Sequence, residues 1–253
     1  MFRKITVVLP FIILASLLVS CSNQPVDSTI TDAYDFPIKP GSEEWESFRD
    51  HDSMVKACQV PELTLEEMST AGLVETILNY PLRIDAFAYN DPQTGFDAVK
   101  SQFNGIQELL TREDAATELI VKYKALDLSA VNEEWEPKDI GEFTLGTVAF
   151  MEILIAQHEI ISKMTKSELL DLLTEAIEKN SEKLQYSESF GQSGRLYSTW
   201  IIARVLQQEN YMPFIQIIDE NDNLQWYLSR GQYASTELLD EINSKAQEFL
   251  SQP

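Results

Sequence analysis

Two cysteines and two histidines in 253 residues leave little material for a metal centre or for thiol chemistry. No second histidine stands at helical spacing from His51 or His158, as a metal-binding helix would need. The chain has no CxxC pair and no glycine-rich phosphate loop, so neither dithiol redox chemistry nor nucleotide cradling has a motif to rest on. Positive charge is scarce as well: 19 Lys and Arg face 41 Asp and Glu, for a net charge of −22. Self-repulsion on that scale favours solubility and works against docking to nucleic acid or anionic head groups, so no nucleic-acid partner is expected. A solvated acidic surface is the plain reading of the surplus; attraction of cations or of a basic partner is the sharper one. Glycine and proline are few, nine and ten, while 44% of residues are hydrophobic. The chain can therefore bury a sizeable core, as one domain or two small ones.

What is present begins with MFRKITVVLPFIILASLLVSC. Two basic residues, Arg3 and Lys4, precede an apolar run from Ile5 to Val19 that only Thr6, Pro10 and Ser16 interrupt. A basic flank, a short apolar core and small residues before a cut form the grammar of a secretory signal, and the run is short for a membrane span. Leu18-Val19-Ser20-Cys21 resembles the lipobox of bacterial lipoproteins, with an apolar residue at −3, a small one at −1 and the required Cys. The resemblance implies removal of residues 1–20, an S-diacylglyceryl group on the Cys21 thiol and an acyl group on its new amine. One acyl chain gives marginal membrane binding, whereas two or three give a lasting anchor. An ordinary signal peptide with an incidental cysteine, or an uncleaved anchor, is the plainer alternative. Both charges of the leader are positive, so the −22 of the whole chain becomes −24 without them.

Residues 21–42, rich in Ser, Thr, Asp and Pro, read as a lipidated flexible tether. Some 20 extended residues reach at most about 70 Å, enough to clear the head groups. Ser22 follows the cysteine where an Asp would favour inner-membrane retention, so an outer-membrane destination is compatible if the host has two membranes. With Cys21 acylated, Cys58 has no intramolecular disulfide partner and reads as a small buried hydrophobe, with a reactive thiol as the alternative.

Residues 43–253 read as one helical domain, with a possible subdivision at the polar stretch 127–142. Thr64-Leu65-Glu66-Glu67 and Thr111-Arg112-Glu113-Asp114 match capping boxes, and Thr165-Lys166-Ser167-Glu168 is a third. Asp91-Pro92 predicts a capped start with proline at the first helical position. Apolar stripes follow at Leu73, Val74, Ile77 and Leu78; at Phe96, Val99 and Phe103; and at Ala115, Leu119, Ile120 and Tyr123. Phe143–Ile161 has little polar side beyond Glu152 and Glu159, which predicts one helix buried on most of its circumference. Leu169, Leu172, Leu173, Ala176 and Ile177 predict an inward face, and Leu238, Leu239, Ile242, Ala246, Phe249 and Leu250 another. Residues 212–228 are ambiguous between a hairpin and two short helices, with helices preferred. No long strand pattern appears, so the class is all-α: stacked antiparallel short helices, either a short α-solenoid or an irregular helical bundle.

Trp45, Ala57-Cys58-Gln59-Val60-Pro61, Asn79-Tyr80-Pro81 and Phe103-Asn104-Gly105 are marks by which residues 40–126 resemble a family of uncharacterised secreted bacterial helical proteins. The resemblance implies the domain boundary and the helices and carries no site residue across.

The chemistry-bearing residues form no constellation. His51-Asp52 could be a ligand pair or a base with its orienting carboxylate, but sequence neighbours seldom face one centre, and a solvated pair is the plain reading. His158 beside Glu159 reads as a satisfied core or rim histidine. Gly191-Gln192-Ser193-Gly194-Arg195 fails as a nucleophile elbow, because Arg195 stands where glycine is needed. Asp219 to Asn223 starts like a calcium loop but has Leu224 at the turn position and Arg230 where a bidentate Glu should be. No cofactor, metal or catalytic set is expected. The expected function is that of a lipid-anchored module outside the cytosol, binding a protein or envelope component. The rival is an envelope hydrolase using a carboxylate acid/base pair in a concave pocket. A transporter's solute-binding lipoprotein would need strands alternating with helices in two lobes.

Overall fold

The computed structural model describes residues 32–252 except 133 and 192. The leader, Cys21 and the tether through Thr31 lie outside the described residues. Residues 32–36, expected to belong to the tether, are instead docked on the body. Asp32 accepts hydrogen bonds from the Ser69 amide and hydroxyl at 2.7 and 2.9 Å, and the Tyr34 amide donates to Thr76 Oγ1 at 2.8 Å. Phe36 is 2% exposed and packs against Tyr80 and Phe103. Two aromatics outweigh the polar composition around them, because burying each ring stabilises by a few kcal/mol.

Among the described residues the chain is helical and contains no strand. The first half holds α1 (Glu43–Glu46), α2 (His51–Ala57), α3 (Glu62–Glu67), α4 (Thr70–Leu78), α5 (Pro92–Gln102), α6 (Asn104–Leu109) and α7 (Ala115–Lys124), with a 3₁₀ segment at Arg83–Ala88. The Asp91-Pro92 start forms as expected: Asp91 accepts from the Thr94 amide at 2.8 Å. The first two capping boxes do not. Pro61 already opens α3, so Thr64 falls inside it, and Ser69 caps α4 by accepting from the Gly72 amide. Thr111 donates to the Glu108 carbonyl, and Asp114 accepts from Thr70 Oγ1 at 2.7 Å rather than from its own helix. The three apolar stripes of this half are all buried.

The polar stretch 127–142 is pinned rather than loose. A 3₁₀ turn at Leu128–Ala130 buries Leu128 with Val131, Val148 and Phe190 in a small cluster beside the main core, and α8 (Pro137–Gly141) follows. The single helix expected over Phe143–Ile161 is broken. Its first part is a π-helix, Glu142–Ala149; α9 (Phe150–Ile155) is regular; Gln157 is extended; and α10 (His158–Ile161) is one turn. The Gln157 side chain donates to the Ile153 carbonyl and fills the gap left by the break.

The remainder comprises α11 (Lys166–Gln185), α12 (Ser187–Phe190), α13 (Gly194–Gln208), α14 (Met212–Glu220), α15 (Asp222–Arg230) and α16 (Thr236–Leu250). Thr165 and Glu168 make the expected reciprocal capping box on α11. Residues 212–228 are two short helices, as preferred. Helix α13 is surrounded: it touches α9, α10, α11, α12, α14, α15 and α16. Its run from Ser198 to Ala203 is buried on every side. Units of a solenoid meet only their chain neighbours, whereas here α5 also packs on α9 and α15. The molecule is therefore the irregular bundle. No helix among the described residues is long and apolar enough to cross a membrane.

Candidate functional site

Cys58 is fully buried, and desolvation pushes its thiol up to about 11, as suits a core hydrophobe. His51 is paired with Asp85, 34 positions away, rather than with Asp52: Nε2 lies 2.6 Å from Asp85 Oδ2. The 3₁₀ segment after α4 carries Asp85 to the start of α2, a non-local pairing with no signal in the local pattern. Together with Tyr89 and Gln102 they line an open cleft of about 410 Å³. A carboxylate-oriented imidazole facing a cleft can move a proton, given a substrate there. His158 is exposed at the rim of the bundle, and its neighbour Glu159 bonds Lys100 at 3.2 Å. Arg195 is buried, donating to Asn180 Oδ1 and to Asp240, which leaves the 191–195 segment a structural turn. Asn221, in the loop that began like a calcium site, caps α15 by accepting from the Leu224 amide.

A polar cluster absent from the sequence reading lies at the centre. Glu152, taken as part of a solvent-facing edge, is sealed inside. Lys183 Nζ donates to both its oxygens at 2.7 and 2.6 Å, and the Tyr123 hydroxyl donates at 2.7 Å. Burial pushes the Glu152 carboxyl up and the Lys183 ammonium down, each against the attraction of the other. With no exposed surface and three donor contacts, this group has no access to substrate. The raised carboxylate that a hydrolase would need is here an internal ion pair. The cluster ties α7, α9 and α11 together.

A further cleft, of about 600 Å³, lies between residues 33–40 and the start of the π-helix. Arg83 in its wall is already satisfied by Glu142 and by the Gly146 and Tyr80 carbonyls.

Arg204 differs from the other covered arginines. It stands four residues after Trp200 on α13, and its guanidinium carbon lies 5.3 Å from the centre of the Trp200 ring. Trp200 is itself immobilised: it is 0% exposed, and its indole N–H donates to the Leu228 carbonyl at 3.0 Å. Gly231, in the left-handed conformation that ends α15, lies so close to this ring that a Cβ would collide with it. Among the described residues the buried Arg204 Nε has no hydrogen-bond partner and no carboxylate forms an ion pair with the side chain. Desolvation lowers its pKa, partly countered by Glu159 nearby. Two adjoining grooves, of about 300 and 320 Å³, share Arg204 and Gln207. One continues along Gln225, Leu228 and Ser229 of α15, the other along His158 and Ile161 of α10. The visible sign in the sequence is a lone arginine closing the run Trp200-Ile201-Ile202-Ala203. Pattern alone does not tell whether such a residue is paired.

Comparison with protein-family models, with curated proteins and with solved structures finds no match, so the chemistry of the site rests on its own residues.

Proposed function

We propose that this chain is a lipoprotein held on the extracytoplasmic face of a membrane through Cys21, where its helical bundle acts as a binding module for a protein or envelope component. The observation that carries the reading is Leu18-Val19-Ser20-Cys21 at the end of a basic-then-apolar leader. The Arg204 grooves support it further, as a pre-formed concave surface with an unsatisfied donor. Tethering raises the effective concentration of a modest binder near its target. The membrane is the cell membrane, or the outer membrane in a two-membrane host. Mass spectrometry of the native N-terminus should find a lipid-modified Cys21. An unmodified Met1, or a mature end beyond 21 without fatty acid, sinks the anchor. Cross-linking on intact cells, then capture in detergent, should recover a stoichiometric envelope partner; its absence, with function kept after deletion of the helical body, ends the binding reading.

One observation favours the rival hydrolase: the His51–Asp85 pair facing an open cleft. Under that reading, hydrolysis of an envelope substrate disappears in His51→Ala while the fold is retained. Unchanged hydrolysis disposes of it.

A further inference from the structure

We infer that Arg204 is the anchor of a binding site for an organic carboxylate with an apolar portion, seated in the two grooves that meet at its side chain. The inference rests on the binding-module reading and names its ligand class. Carboxylates outnumber basic residues about two to one in this chain, 41 against 19, so an arginine finds an acidic partner easily. The other covered arginines have done so: Arg83 with Glu142, Arg112 with Glu108 and Arg195 with Asp240. Arg204, half-buried and with a buried Nε–H unsatisfied, has not. A desolvated guanidinium without a carboxylate of its own carries a cost that a ligand carboxylate on its terminal nitrogens would relieve.

The surroundings select the kind of anion. Trp200 carries the guanidinium over its ring, and the planar fork of an arginine suits the two-pronged acceptor of a carboxylate. A single arginine, with no lysine among the residues lining either groove, suits one negative charge better than the two of a phosphate monoester. The net charge of −22 penalises the second charge further. Glu159, the acid felt most at Arg204, is held by Lys100 and does not close the site. Ile161 in one groove and Ile218 and Leu228 in the other offer apolar walls for the rest of the ligand, and Gln207 adds an amide beside the charge.

Two sources share this chemistry: a free small acid and the C-terminal carboxylate of a peptide. The full-length protein in detergent is titrated with hexanoate, and separately with an N-acetylated Leu-Leu peptide bearing a free or an amidated C-terminus. Hexanol and inorganic phosphate serve as controls. Calorimetry and the Arg204 Nε–H nuclear magnetic resonance signal are read together. Saturable binding of hexanoate or of the free-acid peptide that shifts this signal is expected, with the better of the two identifying the source. Hexanol and the amidated peptide should bind roughly tenfold to a hundredfold more weakly, as should the acid ligands to Arg204→Gln. Arg204→Lys keeps the charge without the fork and should fall between. Glu159→Gln, which removes a competing carboxylate, should bind at least as well as the wild type. No binding of either acid, equal binding by Arg204→Gln, or a preference for phosphate overturns the inference. Recovery of the same envelope partner by Arg204→Gln would overturn it too, while leaving the binding-module reading intact.

Discussion

At the scale of single residues, Cys58 and Lys183 show how burial sets chemistry. The Cys58 thiol is raised from an ordinary value of 9.0 to about 11 by burial alone. The native protein at pH 8 should therefore resist alkylation at Cys58 and react only as fast as it unfolds, which mass spectrometry after timed iodoacetamide exposure checks. A folded pKa above the unfolded one contributes stability that is whole below pH 9 and drains away as pH climbs towards 11. Replacing Cys58 with Ala should accordingly flatten the alkaline limb of the stability curve. Lys183 faces the opposite hazard, because its loss strands the Glu152 carboxyl in the core. Lys183→Met should cost about 3–5 kcal/mol in denaturant unfolding, and the double variant Glu152→Gln, Lys183→Met should regain most of it. If the double variant is no better than the single, the pair is stabilising in its own right. Cys58 was legible in the sequence as a core residue because its neighbours are apolar. Glu152 was not, since its cation lies 31 positions away.

At the scale of elements, the fate of three similar tetrads is instructive. Thr165 caps α11, whereas Thr64 and Thr111 stand in equally good patterns and cap nothing. The Ser/Thr-x-x-acid signature describes what a turn can do if a helix begins there, and Pro61 and Asp114 move the beginnings elsewhere. Thr165→Ala should cost about 1 kcal/mol in thermal or denaturant unfolding. The Glu168 carboxyl is held low, first by the Thr117 hydroxyl and then by the Thr165 amide and hydroxyl. A depressed folded pKa contributes stability that is present above the ordinary value of 4.5 and disappears as pH falls through the folded one. The Thr165→Ala penalty should therefore shrink in strongly acidic buffer. A penalty that does not change between neutral and acid pH would mean that Glu168 gains nothing from the cap. The break at Gln157 belongs to this scale as well: an apolar run with little polar side predicted one helix, and nothing in its periodicity marked the π-turn that begins it or the extended residue that follows α9.

For the whole molecule, the docked segment decides where the body begins. Phe36 closes over Tyr80 and Phe103, whose rings stack at 3.9 Å. Phe36→Ala should lower stability by about 3 kcal/mol and expose residues 32–40 to limited proteolysis. Unchanged stability would return that stretch to the tether. Docking also leaves fewer residues between Cys21 and the globular part than the composition suggested. If Cys21 carries lipid, the bundle is held closer to the membrane surface than a 20-residue spacer would hold it.

The all-helical class and most of the inward-facing side chains were determined by the chain's own local pattern. A stripe of apolar residues every third or fourth position encodes its buried face within two turns, whatever it later packs against. Which polar residues are neutralised inside, and which are left wanting a partner, was decided only when the helices met. Glu152 and Lys183 became a pair because α9 and α11 converge in the core. Arg204 stayed without one because Glu159 of α10, whose charge it feels, is engaged by Lys100 of α5. Charge pairing is a property of distances between elements, and such distances are not written in any single stretch of sequence.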